Sequence, residues 1–262
     1  MKYITITGSN LAKYTGHNKY QTLDKNINEL LSKNGIRDRY VPKSNLEEKL
    51  MSLSPEQLRN LKQELNIPEG TTLHSVESLI KSQIMKNSYS STLTEEQSKQ
   101  LVDQQIQDKP MLQLVQQSMK QDLQIRRGNI KESSNLNKIQ SQIKMDITER
   151  NSRMYTKELY RCDDFCILVK GKVDGIVGSD TVIESKNRTK RLFKEIRDYE
   201  RVQLECYMYL TGYSKSILTE HYNDTECCLE YSHDEDFWRQ CIENTVQFVT
   251  TYIKPFLDED NV

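Results

Sequence analysis

The sequence lacks the features that would place it in a membrane, in a secretory pathway or around a metal cluster. None of its stretches approaches the roughly eighteen consecutive apolar residues of a membrane span. Its opening MKYITITGSN has neither the basic start nor the apolar run of a signal peptide. The six cysteines form no C-x-x-C pair, which favours reduced thiols over a zinc or iron–sulfur site. These absences predict a globular protein inside the cell, cytoplasmic or nuclear.

Charge of one sign is also missing from the chain as a whole. The 37 basic and 38 acidic residues leave a net charge of −1, and the four histidines are isolated from one another. A near-zero total neither supports nor excludes a nucleic-acid partner, because an acidic catalytic centre can cancel a basic binding groove. The distribution of charge along the chain therefore has to decide.

The pattern of polar and apolar residues divides the chain into three parts. Residues 1–43 begin with a β-prone segment, followed by Gly8 and Ser9 as a turn and helix cap. Residues 44–108 are rich in Gln, Lys and Glu, and they predict a small inserted helical subdomain. Residues 109–262 start with a long helical pattern and continue as alternating strands and helices. The fold class is mixed α/β.

Several elements of the third part are predicted with bounds. Strands are predicted at 155–161, 165–177, 181–186, 215–222 and 227–232. Helices are predicted at 109–143, weakened near Gly128, at 190–211 and at 234–257.

One predicted hairpin, GKVDGIVGSDTVIESKN, places two acids and a lysine in a short stretch with apolar residues on both strands. If the strands pair symmetrically about Ser179, Asp174 falls opposite Glu184. Lys186 lies on the same strand as Glu184. Two half-buried carboxylates are costly unless a divalent cation coordinates them, and the nearby ammonium can orient or deprotonate a water. A slip of one residue would separate the carboxylates, and a fully solvated hairpin is the alternative.

Four segments, in this order along the chain, resemble the YqaJ and phage lambda exonuclease branch of the PD-(D/E)xK nuclease superfamily. The segment ITGSNLAKYTGHNKY resembles the opening turn of that branch, and RRGNIKE resembles its R-G-x-x-x-E helix segment. The hairpin carries the D-G and E-S-K elements, and RVQLECYMYLTG matches the Q-x-x-x-Y helix. Residues 44–125 depart from the family pattern.

The resemblance implies a restriction-endonuclease-like core, with a central mixed sheet flanked by helices, and a role for each matched residue. Asp174 and Glu184 would hold Mg²⁺ or Mn²⁺ with help from the backbone carbonyl of Ser185, and Lys186 would position the attacking water. Glu132 would complete the metal site, directly or through a water. The implied catalytic residues are Glu132, Asp174, Glu184, Lys186 and Gln203, with Tyr207 in support. Two alternatives remain: Glu132 could be a solvated charge, and Gln203 and Tyr207 could belong to an ordinary helix face.

A basic segment directly after the hairpin favours a nucleic-acid substrate. KNRTKRLFKEIRDYER carries seven basic residues against three acidic ones, and a solvated helix face would leave much of this charge unpaired. In the resembling exonucleases a serine and basic residues near the N-terminal turn bind a 5′-phosphate. The residues predicted to contact DNA are Ser9, Lys13, Arg126, Arg127, Arg188, Lys190 and Arg191.

The resulting hypothesis is a metal-dependent DNA exonuclease that acts from duplex ends in the 5′ to 3′ direction. The resemblance places such enzymes in viral or phage recombination, repair or replication, with a homo-oligomer or a recombination or helicase partner as compatible assemblies. Two alternatives stay open: an endonuclease of the same superfamily, and a non-catalytic nucleic-acid-binding accessory protein.

Overall fold

The computed structural model describes residues 1–36 and 43–258 and has a mixed α/β fold; part of the predicted 1–43 segment, residues 37–42, lies outside the described residues. A three-stranded sheet has the order β1-β4-β3, with β1 (Lys2–Thr7), β3 (Tyr155–Arg161) and β4 (Phe165–Gly171). Strand β4 pairs in parallel with β1 and antiparallel with β3. The first and middle thirds of the chain therefore meet in this sheet.

A five-stranded sheet carries the predicted hairpin and has the order β2-β5-β6-β7-β8. The hairpin strands β5 and β6 pair antiparallel, and β6 pairs in parallel with β7. Its strands are β2 (Ile147–Thr148), β5 (Gly175–Val177), β6 (Thr181–Asn187), β7 (Lys215–Tyr222) and β8 (Thr225–Ser232).

Helices of the core pack on these sheets and enclose the main hydrophobic cluster, which includes Ile4, Val169, Val202, Met208 and Trp238. They are α1 (Leu23–Lys33), α8 (Asp198–Thr211), α9 (Glu235–Phe248) and α10 (Lys254–Asp258), with a π-helical turn at Val249–Ile253 between the last two. A short 3₁₀ helix, Gly8–Lys13, follows β1 and contacts α8.

The middle of the chain is helical, as the sequence predicts, and has its own apolar cluster. This cluster runs from Leu46 to Leu123 and so extends past residue 108 into the first half of the long helix α7. The second half of α7 packs instead on the five-stranded sheet, through Leu136 and Ile139. The helices are α2 (Asn45–Met51), α3 (Pro55–Glu64), α4 (Leu73–Leu79), α5 (Glu95–Ile106), α6 (Pro110–Gln113) and α7 (Gln116–Ile143), with short turns at Ile80–Ile84 and Lys86–Tyr89.

The two helix starts predicted from capping residues are confirmed. The side chains of Ser54 and Thr94 cap α3 and α5, each in a reciprocal capping box. Ser9 is different, because the 3₁₀ helix begins at Gly8 with Thr7 in the capping position, so the predicted cap at Ser9 is wrong. Gly128 does not interrupt α7.

Several predicted elements differ from the observed ones. The strand predicted over 165–177 is two strands, because residues 172–174 leave the first sheet before β5 joins the second. The helix predicted from 190 begins at Asp198. Among the described residues, no helix is both long and apolar enough to cross a membrane.

Candidate active site

The hairpin brings Asp174, directly ahead of β5, together with Glu184 on β6, the central strand of the five-stranded sheet. Gly175 pairs with Ile183 and Val177 pairs with Thr181, so the next step of this register places Asp174 opposite Glu184, as predicted. The backbone N–H of Ser185 donates to Asp174 Oδ2 at 2.8 Å. Both carboxylates are buried, with Asp174 9% and Glu184 5% exposed. The adjacent strands thus hold two acids against each other.

A chain of hydrogen bonds links the lysine and the glutamine to one of these acids. Lys186 Nζ donates to Glu184 Oε1 at 2.8 Å and to Gln203 Oε1 at 3.0 Å. Gln203 Nε2 donates to Glu184 Oε1 at 2.8 Å and to the Tyr207 hydroxyl at 3.0 Å. Gln203 and Tyr207 lie one turn apart on α8, which supplies both from the same face. The structure therefore brings these four predicted residues into one network.

The Tyr207 ring is fixed by close backbone approach from two glycines. A Cβ added to Gly8 would lie 2.7 Å from the ring, and one added to Gly171 would lie 2.8 Å from it. Real Cβ atoms do not approach that closely, so glycine is required where the end of β4 and the start of the 3₁₀ helix meet α8. This packing sets the position of the hydroxyl that accepts from Gln203.

These side chains line a cleft of about 510 Å³, which we call the catalytic cleft. Its lining includes Asp174, Glu184, Lys186, Gln203 and Tyr207 together with Ser9, Glu132, Ser185, Asn187, Lys170 and Lys172. Glu132 reaches the cleft from α7, where its Oε1 accepts a hydrogen bond from Asn151 Nδ2 at 3.0 Å. Ser9 reaches it from the 3₁₀ helix. Two elements distant in sequence thus complete the wall.

The electrostatics of the cleft depend on the carboxylate pair. Burial, the neighbouring Glu184 and the more distant Glu132 raise the pKa of Asp174 far above its usual value. Burial alone would lower the pKa of the Lys186 ammonium, but Glu184 and Asp174 outweigh it and raise that pKa. Lys186 is therefore a cation at neutral pH, suited to orienting a water rather than to removing its proton.

The donor set fits a divalent cation. Glu184 Oε2 is buried and has no hydrogen-bond partner, although its other oxygen accepts two. Oxygen ligands of this kind suit Mg²⁺ or Mn²⁺, and a cation would relieve the repulsion within the pair. Within residues 1–36 and 43–258, no three His, Cys, Asp or Glu side chains converge closely enough to hold a metal ion. Glu132 lines the same cleft, and its predicted part in holding the cation, directly or through a water, stays a prediction, as does that of the Ser185 carbonyl.

Two residues predicted to bind DNA lie outside the catalytic cleft. Lys13 Nζ donates to both oxygens of Glu29, at 3.0 and 2.8 Å, and lines a neighbouring cleft of about 670 Å³. Arg126 lines the same neighbouring cleft, with its guanidinium 4.0 Å from the Tyr89 ring centroid. Ser9 and Lys13 thus line neighbouring clefts, and the expected phosphate pocket of the two residues stays a prediction.

Arg127 is a structural residue rather than a DNA contact. Its side chain has no exposed surface and bonds Glu95 Oε1 and the carbonyls of Ser88, Ser90 and Leu93. A guanidinium that is fully buried in the protein cannot contact a phosphate. The DNA-binding prediction for Arg127 is wrong because it lies on the inner face of α7.

Arg188 is likewise buried, and it explains why no helix starts at residue 190. Its guanidinium bonds Glu200 and Glu220, so the basic segment does have acidic partners. Glu220 also accepts from the backbone N–H groups of Phe193 and Lys194, which holds this stretch in an irregular turn. Only Lys190 and Arg191 of the predicted DNA contacts in this segment are exposed, and their role stays a prediction.

The sequence analysis missed cleft residues that carry no family motif. Asn151 has a left-handed backbone (φ 47°) and positions Glu132, and Lys170 and Lys172 add positive charge beside Asp174. The spacing K-G-K-V-D was a usable signal, since it places both lysines within four residues of Asp174. Nothing in the sequence around Asn151 points to Glu132.

No family model and no curated protein matches this chain. Solved structures similar to it include an alkaline exonuclease, LHK-Exo, from Laribacter hongkongensis, with a TM-score of 0.43 and 14% identity over 71% of this chain and 96% of that one. LHK-Exo in complex with dAMP gives a TM-score of 0.41 and 14% identity over 53% and 72% of the two chains. SSO0001 gives a TM-score of 0.36 and 17% identity over 77% and 89%.

Proposed function

We propose that this protein is a divalent-metal-dependent deoxyribonuclease that removes nucleotides from duplex DNA ends. One observation carries the proposal: Asp174 and Glu184 face each other across adjacent strands in an open cleft, with Lys186 and Gln203 hydrogen-bonded to Glu184. The 5′ to 3′ direction and a role in viral or phage DNA recombination, repair or replication belong to the same proposal and rest on the sequence resemblance.

The residues of the cleft divide the work of phosphodiester hydrolysis. Asp174 and Glu184 would hold the divalent cation, which would supply Lewis acidity toward the phosphate and the attacking water. Lys186 keeps its proton and has donor capacity beyond its bonds to Glu184 and Gln203, which it can direct at that water. Gln203 fixes the rotamer of Glu184, and Tyr207 fixes Gln203. Lys170 and Lys172 lie beside the acids, where they favour the approach of a phosphate backbone.

The test uses end-labelled linear duplex and closed circular duplex DNA with Mg²⁺, Mn²⁺ or EDTA. Wild type should degrade the linear DNA only with metal, and Asp174→Asn should lower the rate by roughly 100-fold or more because the carboxylate pair is lost. Asp180→Asn is the matched control, since Asp180 lies on the same hairpin but is exposed and bonds Lys215.

Each alternative activity has its own result in this assay. Cleavage of the closed circle would indicate the endonuclease alternative. DNA binding without metal-dependent cleavage of either substrate would indicate an accessory protein. Full activity in Asp174→Asn would contradict the site assignment. In a separate measurement, Mg²⁺ or Mn²⁺ should raise the melting temperature of the wild type but not that of Asp174→Asn.

A further inference from the structure

A second polar cavity, of about 260 Å³, lies beyond the end of β6. It is formed by α7, the segment ahead of α5, and the turn between β7 and β8. We call it the lateral pocket. Its lining includes Lys131, Ser134, Asn135, Lys138, Asn187 and Asp224, together with Asn223 and residues 91–94. Lys131 and Asn187 belong to quoted motifs, but none of the first six was assigned a role from the sequence.

An unused hydrogen-bond donor lies in this pocket. Asn135 is 6% exposed, and its side-chain Nδ2 is buried without a hydrogen-bond partner. Buried amide groups in native proteins nearly always have a partner, so an exception calls for an explanation such as an absent ligand. Because Nδ2 can only donate, the ligand that fits must offer an acceptor oxygen.

The charge around the pocket favours an anionic acceptor. Lys131 Nζ and Arg127 Nη2 both lie 3.2 Å from the same oxygen of Glu95, so two cations share one carboxylate. Lys138 is exposed and follows Asn135 by three residues on α7, which places both on one helix face. Among the described residues lining the pocket, Asp224 is the sole carboxylate, and it is exposed. The balance of fixed charge is positive.

Asn187 connects this pocket to the catalytic cleft, because it lines both. It follows Lys186 directly and lies three residues after Glu184, roughly 10 Å along the extended strand. A nucleic-acid strand that places one phosphate at Glu184 therefore has further phosphates within reach of the pocket. We propose that the lateral pocket binds a backbone phosphate of the strand being cleaved, through Asn135, Lys131 and Lys138.

The proposal rests on the proposed function for the identity of the strand, but its test needs no catalysis. A short fluorescent DNA duplex is titrated with the full-length protein in EDTA at several salt concentrations. Lys138→Gln should weaken binding about 3- to 10-fold at low salt and lower the slope of log Kd against log salt by about 1, as the loss of one phosphate contact requires. Asn135→Asp should weaken binding more, because a carboxylate replaces the donor.

Two matched controls lie on or beside the same helix and line neither cavity. Lys144→Gln removes the same charge, and Asn137→Asp makes the same change at an exposed position whose side chain accepts from Arg150. Both should bind DNA as the wild type does. Circular dichroism and the melting temperature check that all four variants fold. If Asn135→Asp does not fold, Lys138→Gln, at an exposed position, still tests the proposal.

The outcomes separate this proposal from the proposed nuclease activity. Equal affinity and salt slope for wild type and Lys138→Gln, or a wild type that does not bind DNA, would overturn the pocket. Stabilisation by inorganic phosphate that Asn135→Asp abolishes, with DNA affinity unchanged, would make it a free-ion site and also overturn the proposal. Weakened DNA binding in the two variants supports the pocket even if the wild type cleaves no DNA, in which case only the nuclease proposal fails.

Discussion

Replacing Arg127 with methionine should destabilise the protein strongly without acting through DNA. The guanidinium has no exposed surface and bonds one carboxylate oxygen of Glu95 and three backbone carbonyls. Methionine replaces only the aliphatic part of the arginine side chain and leaves these acceptors without their donor. Removing one partner of a buried ion pair costs about 3–5 kcal/mol, because the remaining charge is uncompensated.

Two neighbours moderate that cost. Lys131 Nζ and Asn187 Nδ2 each still donate to Glu95 Oε1 at 3.2 Å. We therefore expect the lower end of the range, about 3 kcal/mol, which is a large part of the roughly 5–15 kcal/mol that stabilises a native domain. Because Asn187 lies on β6, the loss should also loosen the strand end that follows Lys186.

The assay is urea unfolding at neutral pH, with Arg126→Met as the matched control. Arg126 is the adjacent residue, but it is exposed and stacks on Tyr89, so its substitution should cost no more than about 1 kcal/mol. Arg127→Met should lower the urea midpoint without changing the slope of the transition. Equal stability of the two variants, combined with weaker DNA binding by Arg127→Met, would refute the structural role and restore a contact with DNA.

Three further predictions follow from individual contacts. In steady-state kinetics, Gln203→Leu should lower kcat about 10-fold or more with little change in KM, because it removes the group that orients Glu184. Tyr207→Phe should lower kcat by a smaller factor, because it removes only the support of Gln203. A change in KM alone would contradict this prediction. Burial and Lys138 lower the pKa of His221 to about 4, below its value of about 6.5 in the unfolded chain. The contribution of neutral His221 to stability is therefore full above pH 6.5 and is lost as pH falls toward 4. Between pH 7 and pH 5 the free energy of unfolding should fall by up to about 2 kcal/mol more in wild type than in His221→Gln. Lys13→Ala should leave any preference for 5′-phosphorylated over 5′-hydroxyl ends unchanged, since Glu29 holds that ammonium; a reduced preference in the digestion of matched duplexes would return Lys13 to the substrate.

Local features of the sequence were sufficient wherever short-range geometry decides the structure. Ser54 and Thr94 cap their helices because each needs only the backbone three residues further on. The hairpin register follows from alternation of side chains and a tight turn, and it places Asp174 opposite Glu184. The Q-x-x-x-Y spacing likewise guarantees one helix face. Local geometry therefore allowed the two hairpin acids to be paired, whereas the roles of these acids, of Lys186 and of Gln203 came from the family resemblance.

Tertiary structure alone decided which charges are buried and what they contact. Arg126 and Arg127 are adjacent, yet only the second points inward, toward Glu95, which lies 32 residues away in sequence. Arg188 meets Glu220 across the same separation. A sequence shows that a residue is charged, but its burial and partners depend on packing between distant elements. The charge of the basic segment therefore predicted phosphate contacts, but the fold decided which of its residues form ion pairs within the protein. The fold also decided the position of Asn135.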